Sequence, residues 1–276
     1  MHNLPRCKFL VFTAALVLSF AAGGPAAGAQ NTAVPASIAA DLSPDLVEDL
    51  VAANRILAHY GIFDAYGHIS VRSRTNPNRY LIARYLPPAS TVAADITVYD
   101  LDSNALDPAV KRSFSERFIH GEIYKARPDV MSVVHNHSPG VIPFSLSDKP
   151  LLPVMHTGGF LHGGVPVFDA AKFIADTNMM IQTPAAARAL AATLDKRPIA
   201  LMRAHGAVVV GNSIRQATFR SYYADINARM LAQAMALVGK VNAMTDDEAR
   251  RAEASAVAPV PVDRAWIHWL KEVLGK

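Results

Sequence analysis

The sequence predicts one α/β domain in which a central sheet is covered by helices. Two observations point there. Strand-like and helix-like stretches interleave along the chain instead of forming blocks, and no internal repeat or change of composition marks a second domain. A third supports it: 276 residues with 51% hydrophobic and 18% charged content supply a full core. That composition excludes a disordered chain, a collagen-like repeat and a small disulfide-stapled scaffold.

Arg6 and Lys8 precede an apolar stretch over residues 9–22, interrupted by Thr13 and Ser19. Gly23, Gly24 and Pro25 end it, and Ala27-Gly28-Ala29 has the small-x-small form of a cleavage site. Residues 1–29 are therefore expected to be a secretory signal peptide. Their apolar run is short for a membrane span of roughly 20 residues, and no later segment is apolar enough to be one. The expectation is an exported protein, periplasmic or secreted, without membrane attachment after cleavage. Cleavage removes two basic residues and no acid, so the formal charge falls from +4 to +2, and it removes Cys7, the only cysteine. Cysteine ligands, cysteine nucleophiles and disulfides are thereby excluded from the mature chain. No run of Lys or Arg builds a phosphate-binding stripe, which excludes nucleic acid as a partner.

Residues 30–41 are mostly small and are expected to be a flexible N-terminus, leaving a domain over 42–276. Ser43-Pro44 has the pattern of an N-cap followed by the first helical residue. Leu46, Val47, Leu50, Val51 and Leu57 continue at helical spacing until Gly61. Residues 66–73 alternate like a strand, Asn76-Pro77-Asn78 is a turn, 80–83 is the return strand and 96–99 a third. Phe114, Phe118, Ile119 and Ile123 share one face of a helix over 114–126, which Arg127-Pro128-Asp129 stops. Residues 130–137 are apolar on both faces, as in a central buried strand. A glycine-rich loop follows at 156–166 and an alanine-rich helix at 184–194. Two apolar runs, 199–202 and 207–210, flank Arg203-Ala204-His205-Gly206. A long helix covers 213–238 and a last amphipathic one 265–274.

His135 and His137 lie two apart on the predicted central strand, where a period of two puts both imidazoles on one face. His205 lies at a tight bend between two apolar strands, from which a side chain can point into a cleft. Three neutral imidazoles suit zinc or another first-row divalent ion, and three protein ligands leave a coordination position free for catalysis. Glu116 stands near the start of the helix that leads into the His135 strand. There it serves either such a metal site or the helix dipole as a first-turn acid.

Ser115-Glu116-Arg117-Phe118-Ile119-His120, Arg127-Pro128-Asp129, Val133-Val134-His135-Asn136-His137 and Ala204-His205-Gly206 together resemble the class II aldolase/adducin family, from about residue 50 to residue 233. The resemblance implies a central, mostly antiparallel sheet between helix layers, assembled as a homotetramer. It implies one divalent metal ion, Zn2+ or Mn2+, on His135, His137 and His205, with Glu116 as acid/base. Adducin-type members without catalysis form the non-enzymatic alternative; the full set of Glu and three His argues against it.

Sugar-phosphate aldolases of this family hold phosphate with a loop resembling G-N-x-S and with two serines before the glutamate. Here the loop is Gly67-His68-Ile69-Ser70, and Phe114 precedes Ser115. An imidazole and an aromatic ring in those places favour a flat carboxylated ring or dienoate over a phosphate. Residues 50–73, 84–91 and 158–169 resemble the family's decarboxylase branch, which acts on hydroxylated aromatic, pyridine or muconic semialdehyde dicarboxylates. The expected function is a metal-dependent carbon–carbon lyase that decarboxylates a small-molecule hydroxylated dicarboxylic acid through a metal-stabilised enolate. Aldol cleavage is the alternative. His68, Arg84 and Ser115 are the expected substrate contacts. Arg84 suits a carboxylate through a planar two-point contact, and Ser115 also suits the N-cap of the Glu116 helix.

Overall fold

A computed structural model describes residues 35–276 apart from Gly239, so the expected signal peptide at 1–29 lies outside the described residues. Seven strands form one sheet: β1 (His68–Arg72), β2 (Arg79–Ala83), β3 (Ile96–Asp100), β4 (Ser132–Asn136), β5 (Val167–Phe168), β6 (Ile199–Met202) and β7 (Gly206–Gly211). Their spatial order is β3-β2-β1-β4-β7-β6-β5. Every neighbouring pair is antiparallel except β5 beside β6. The helices are α1 (Ala36–Ala39), α2 (Pro44–His59), α3 (Phe118–Ala126), α4 (Ile142–Ser145), α5 (Pro184–Leu194), α6 (Ile214–Val238), α7 (Asp246–Ala256) and α8 (Pro259–Leu274). Among the described residues, no helix is long and apolar enough to cross a membrane.

β1, β4, β6 and β7 are buried along their whole length. An antiparallel sheet reads as continuous apolar runs only when both faces are covered. Alternate residues feed two cores. Val71, Val134, Leu201 and Val209 pack with Leu50 and Ile56 of α2, Phe219 of α6 and both tryptophans of α8. Val133, Ala200 and Val208 pack with Ile119 and Ile123 of α3 and with Leu190 and Leu194 of α5. The predicted sheet between helix layers is thus the observed one, and the predicted central strand is β4.

The structure departs from expectation in several places, among them α8, which begins at Pro259 and not at residue 265. Within the stretch 30–41, which was expected to be flexible, residues 36–39 form α1. Ile38 of α1 is buried, and the buried Asp41 accepts hydrogen bonds from Ser73 and Thr75 and pairs with Arg79 at 2.8 Å. The small local composition conceals a carboxylate whose partners come from β2 and the β1–β2 turn. α3 begins at Phe118, four residues late. The preceding turn is held by Arg117, which donates to the Ser103 carbonyl at 2.9 Å and to the Phe114 carbonyl at 3.1 Å. α7 was not anticipated, because its buried residues are only alanines, Ala249 and Ala256. Its start is nevertheless written in the sequence: Thr245 and Glu248 form a reciprocal capping box, a device whose cap alone contributes about 1 kcal/mol.

Candidate active site

The site lies where the central strands end. On β4, Val133 and His135 face α3 and α5 while Val134 faces the other core. β4 stops at Asn136, so His137 projects from just beyond the strand. The β6–β7 turn returns beside it, with Ala204 in the left-handed region at φ 55°. Gly206 approaches β4 so closely that a Cβ there would sit 1.9 Å from the Asn136 carbonyl oxygen. That approach brings His205 to His137. One ligand atom from each of Glu116, His135, His137 and His205 lies within 4.8 Å of the others. Glu116 Oε2 is 3.5 Å from both His135 Nε2 and His205 Nε2, and His137 Nε2 is 3.2 Å from His205 Nε2.

The opposite ring nitrogens explain what converges. His135 Nδ1 lies 3.3 Å from the Ala207 carbonyl, His137 Nδ1 3.0 Å from Asp64 Oδ2, and His205 Nδ1 2.9 Å from the Met179 carbonyl. These oxygens only accept, so each Nδ1 carries the hydrogen and each Nε2 keeps its lone pair. Two lone pairs then face each other at 3.2 Å, and the buried His135 Nε2 has no hydrogen-bond partner. A cation resolves both problems. Three imidazole nitrogens and a carboxylate are a donor set for a first-row divalent ion, and the residues fit one. Asp64→Ala is expected to weaken zinc binding about tenfold by freeing the His137 ring, measured by competition with a chromogenic chelator.

Glu116 occupies the turn before α3, not its first helical turn, and is buried. Its Oε1 accepts the Ile181 backbone N–H at 2.8 Å, which leaves Oε2 for the cluster. Burial works to raise its pKa, but His135 and His205 outweigh burial and hold it well below the ordinary carboxylate range. For His205, burial disfavours the cation, yet Glu116 prevails and raises the pKa above 6.5. For His137, burial and then His135 lower it, against the pull of Asp64. Below its raised pKa, His205 carries a second proton, which a metal ion must displace. Zinc affinity is expected to fall about tenfold per pH unit as the pH drops through that raised pKa, as chelator competition between pH 8 and pH 6 would record.

These groups border a cleft of about 310 Å³, whose walls are Tyr66, His68, Tyr85, Phe114, Ser115 and Met180. The His68 ring lies 4.6 Å from that of Phe114, and Phe114 lies 5.5 Å from Tyr85. Of the expected substrate contacts, the structure brings His68 and Ser115 to the cleft. Ser115 is not an N-cap, since that position belongs to Arg117. Arg84 is corrected: its guanidinium turns to the Ala94 carbonyl at 2.7 Å and to Asp95 at 3.3 Å, away from the cleft lining. The β2–β3 connection offers it local acceptors, which a reading of residue type does not weigh. His120 stands behind the cleft, bonding His68 and Ser70.

Sequence reasoning missed Asp64, Tyr66, Tyr85 and residues 179–181. Asp64 carried a usable signal, an acid in the loop entering the strand beside the His135 strand. The Met179 carbonyl and the Ile181 N–H carried none, because main-chain groups are the same at every residue.

Comparison with known proteins identifies the family. The model of the Class II Aldolase and Adducin N-terminal domain matches residues 48–232. Decarboxylase tropJ of Talaromyces stipitatus is 33% identical over 204 residues, covering 69% of this chain and 77% of that protein. The 3,4-dihydroxyphthalate decarboxylase of Arthrobacter keyseri is 31% identical over 218 residues, covering 73% and 83%. The L-fuculose 1-phosphate aldolase structure from Glaciozyma antarctica superposes with a TM-score of 0.69 at 21% identity, over 83% of this chain and 90% of that one. This last likeness concerns the fold.

Proposed function

The chain belongs to the class II aldolase and adducin family, and from that membership we propose that it is a carbon–carbon lyase that decarboxylates a hydroxylated dicarboxylic acid. In this reading a divalent ion, zinc or manganese, is held by His135, His137 and His205, with Glu116 as acid/base. One observation carries it: three Nε2 lone pairs and a buried carboxylate converge beside a cleft walled by aromatic rings. Two relatives above 30% identity named as decarboxylases favour CO2 loss over aldol cleavage.

The walls formed by Tyr85, Phe114 and His68 suit a planar carboxylated ring. A bound divalent ion supplies Lewis-acid stabilisation of negative charge developing on a substrate oxygen. Glu116 rests ionised, so its first act is to take a proton from a substrate hydroxyl. Glu116 then gives that proton to the ring carbon bearing the carboxyl group, as the ionised oxygen pushes its electrons through the ring. The bond to the carboxyl group breaks next, CO2 leaves, and the bonding pair restores the aromatic ring and the ionised oxygen. The Ile181 N–H keeps Oε1 fixed, so Oε2 is the oxygen that moves the proton. Among the described residues the cleft lining includes no Lys or Arg. Neutral donors, among them His68 and Ser115, therefore hold the carboxylate that the substrate keeps.

The test loads the full chain with zinc or manganese, counts metal by mass spectrometry and offers 3,4-dihydroxyphthalate. One ion per chain and release of CO2 with dihydroxybenzoate are expected. Aldehyde release from a hydroxy-carbonyl compound, with no CO2 from the phthalate, would move the reading to aldol cleavage. A chain that takes up no stoichiometric metal would point to an adducin-like interaction module. The same proposal includes a homotetramer and export through residues 1–29, which sedimentation and N-terminal sequencing of the mature chain check.

A further inference from the structure

His68 lines the cleft without belonging to the Glu116 cluster, and a buried chain of polar groups runs behind it. His68 Nδ1 lies 2.7 Å from His120 Nε2, His120 Nδ1 lies 2.6 Å from Ser70 Oγ, and Ser70 Oγ lies 2.8 Å from the Tyr124 hydroxyl. All four residues are buried. The sequence places them together for a simple reason. His68 and Ser70 alternate onto the face of β1 that meets α3, and His120 and Tyr124 stand one turn apart on α3.

Such a chain has two possible polarities, and the Tyr124 end decides between them. Among the described residues, Ser70 Oγ is the only hydrogen-bond partner of the Tyr124 hydroxyl. The phenol hydrogen therefore goes to Ser70 Oγ; the reverse polarity would leave a buried O–H without an acceptor. Ser70 then donates to His120 Nδ1, and His120 Nε2–H donates to His68 Nδ1. His68 is left with its hydrogen on Nε2, the nitrogen that remains for the cleft.

We infer that Tyr124, Ser70 and His120 are positioning residues that fix His68 as a neutral, one-way hydrogen-bond donor to a substrate oxygen. An imidazole free to exchange tautomers meets donors and acceptors alike. One held in the Nε2–H form selects an acceptor, such as a carboxylate or ionised phenol, and turns away an amide N–H or ammonium group. The identity of that oxygen rests on the decarboxylase reading; the polarity of the chain does not.

The zinc-loaded full chain, labelled with 15N in its histidine rings, reports each tautomer without any substrate. The expected result is a His68 hydrogen on Nε2, with that signal shifting on addition of 3,4-dihydroxyphthalate. Tyr124→Phe removes the group that sets the polarity. It should mix the His68 tautomers and raise KM for that probe about fivefold to tenfold, with kcat little changed. His68→Gln, which keeps a donor, should retain more affinity than His68→Phe. A His68 hydrogen on Nδ1 overturns the inference, and so does a Tyr124→Phe protein with an unmixed tautomer and unchanged KM. Failure of the decarboxylase reading looks different: no CO2 is released from the phthalate, yet the Nε2–H tautomer is found.

Discussion

Glu116→Gln is expected to lower kcat on the order of 10³-fold while His135, His137 and His205 keep their metal. Gln matches Glu in shape, and its amide oxygen can still accept the Ile181 N–H that Glu116 accepts at 2.8 Å. It cannot take a proton from a substrate hydroxyl. Turnover and metal content measured on one preparation separate loss of chemistry from loss of the ion. Ordinary turnover in that variant would remove Glu116 from the mechanism. The substitution also has a pH signature in the metal-free protein. The folded-state pKa of Glu116 lies below its ordinary 4.5, so its ionised form contributes stability above that value and loses it as the pH falls further. The variant should therefore melt lower than the parent at neutral pH, with the gap closing in acid.

Gly206→Ala should be among the most damaging single substitutions in the fold. A Cβ at this position would lie 1.9 Å from the Asn136 oxygen, 2.9 Å from its carbonyl carbon and 3.1 Å from His137 Cα. Each of these atoms is backbone, so no side chain can swing aside and β7 must part from the end of β4. A cost of about 3 kcal/mol is expected, corresponding to a Tm lowered by roughly 6–12 °C for a domain of this size. The same displacement separates His137 from His205, so zinc affinity should fall with stability. Calorimetry with and without zinc tests both effects. A Tm within 2 °C of the parent would show that the strands tolerate the methyl group.

Much of this was readable before any coordinates. Residues 130–137 are apolar on both faces because β4 lies in the middle of a sheet covered on each side, and that burial is written directly into residue type. The alanine-rich helix expected at 184–194 is α5, which Pro184 opens and Thr183 caps. His135, His137 and His205 were legible through their order in a family pattern, although 68 residues separate the last two. Local reading failed where a distant partner decides. Arg84 has the right chemistry for a carboxylate, but Ala94 and Asp95 are nearer. Glu116 looked like part of a helix, whereas Arg117 uses the neighbouring carbonyls to hold a turn that turns the carboxylate toward the histidines. α7 escaped because alanine burial leaves no apolar rhythm.

Residues 179–181 hold two members of the cluster through main-chain atoms, a carbonyl for His205 and an N–H for Glu116, while the side chain of Met180 borders the cleft. Every amino acid except proline brings the same carbonyl and N–H, so the side chain at position 180 can change without disturbing either anchor. Selection acting on this short stretch can thus retune which molecules are admitted while the reaction itself is inherited unchanged.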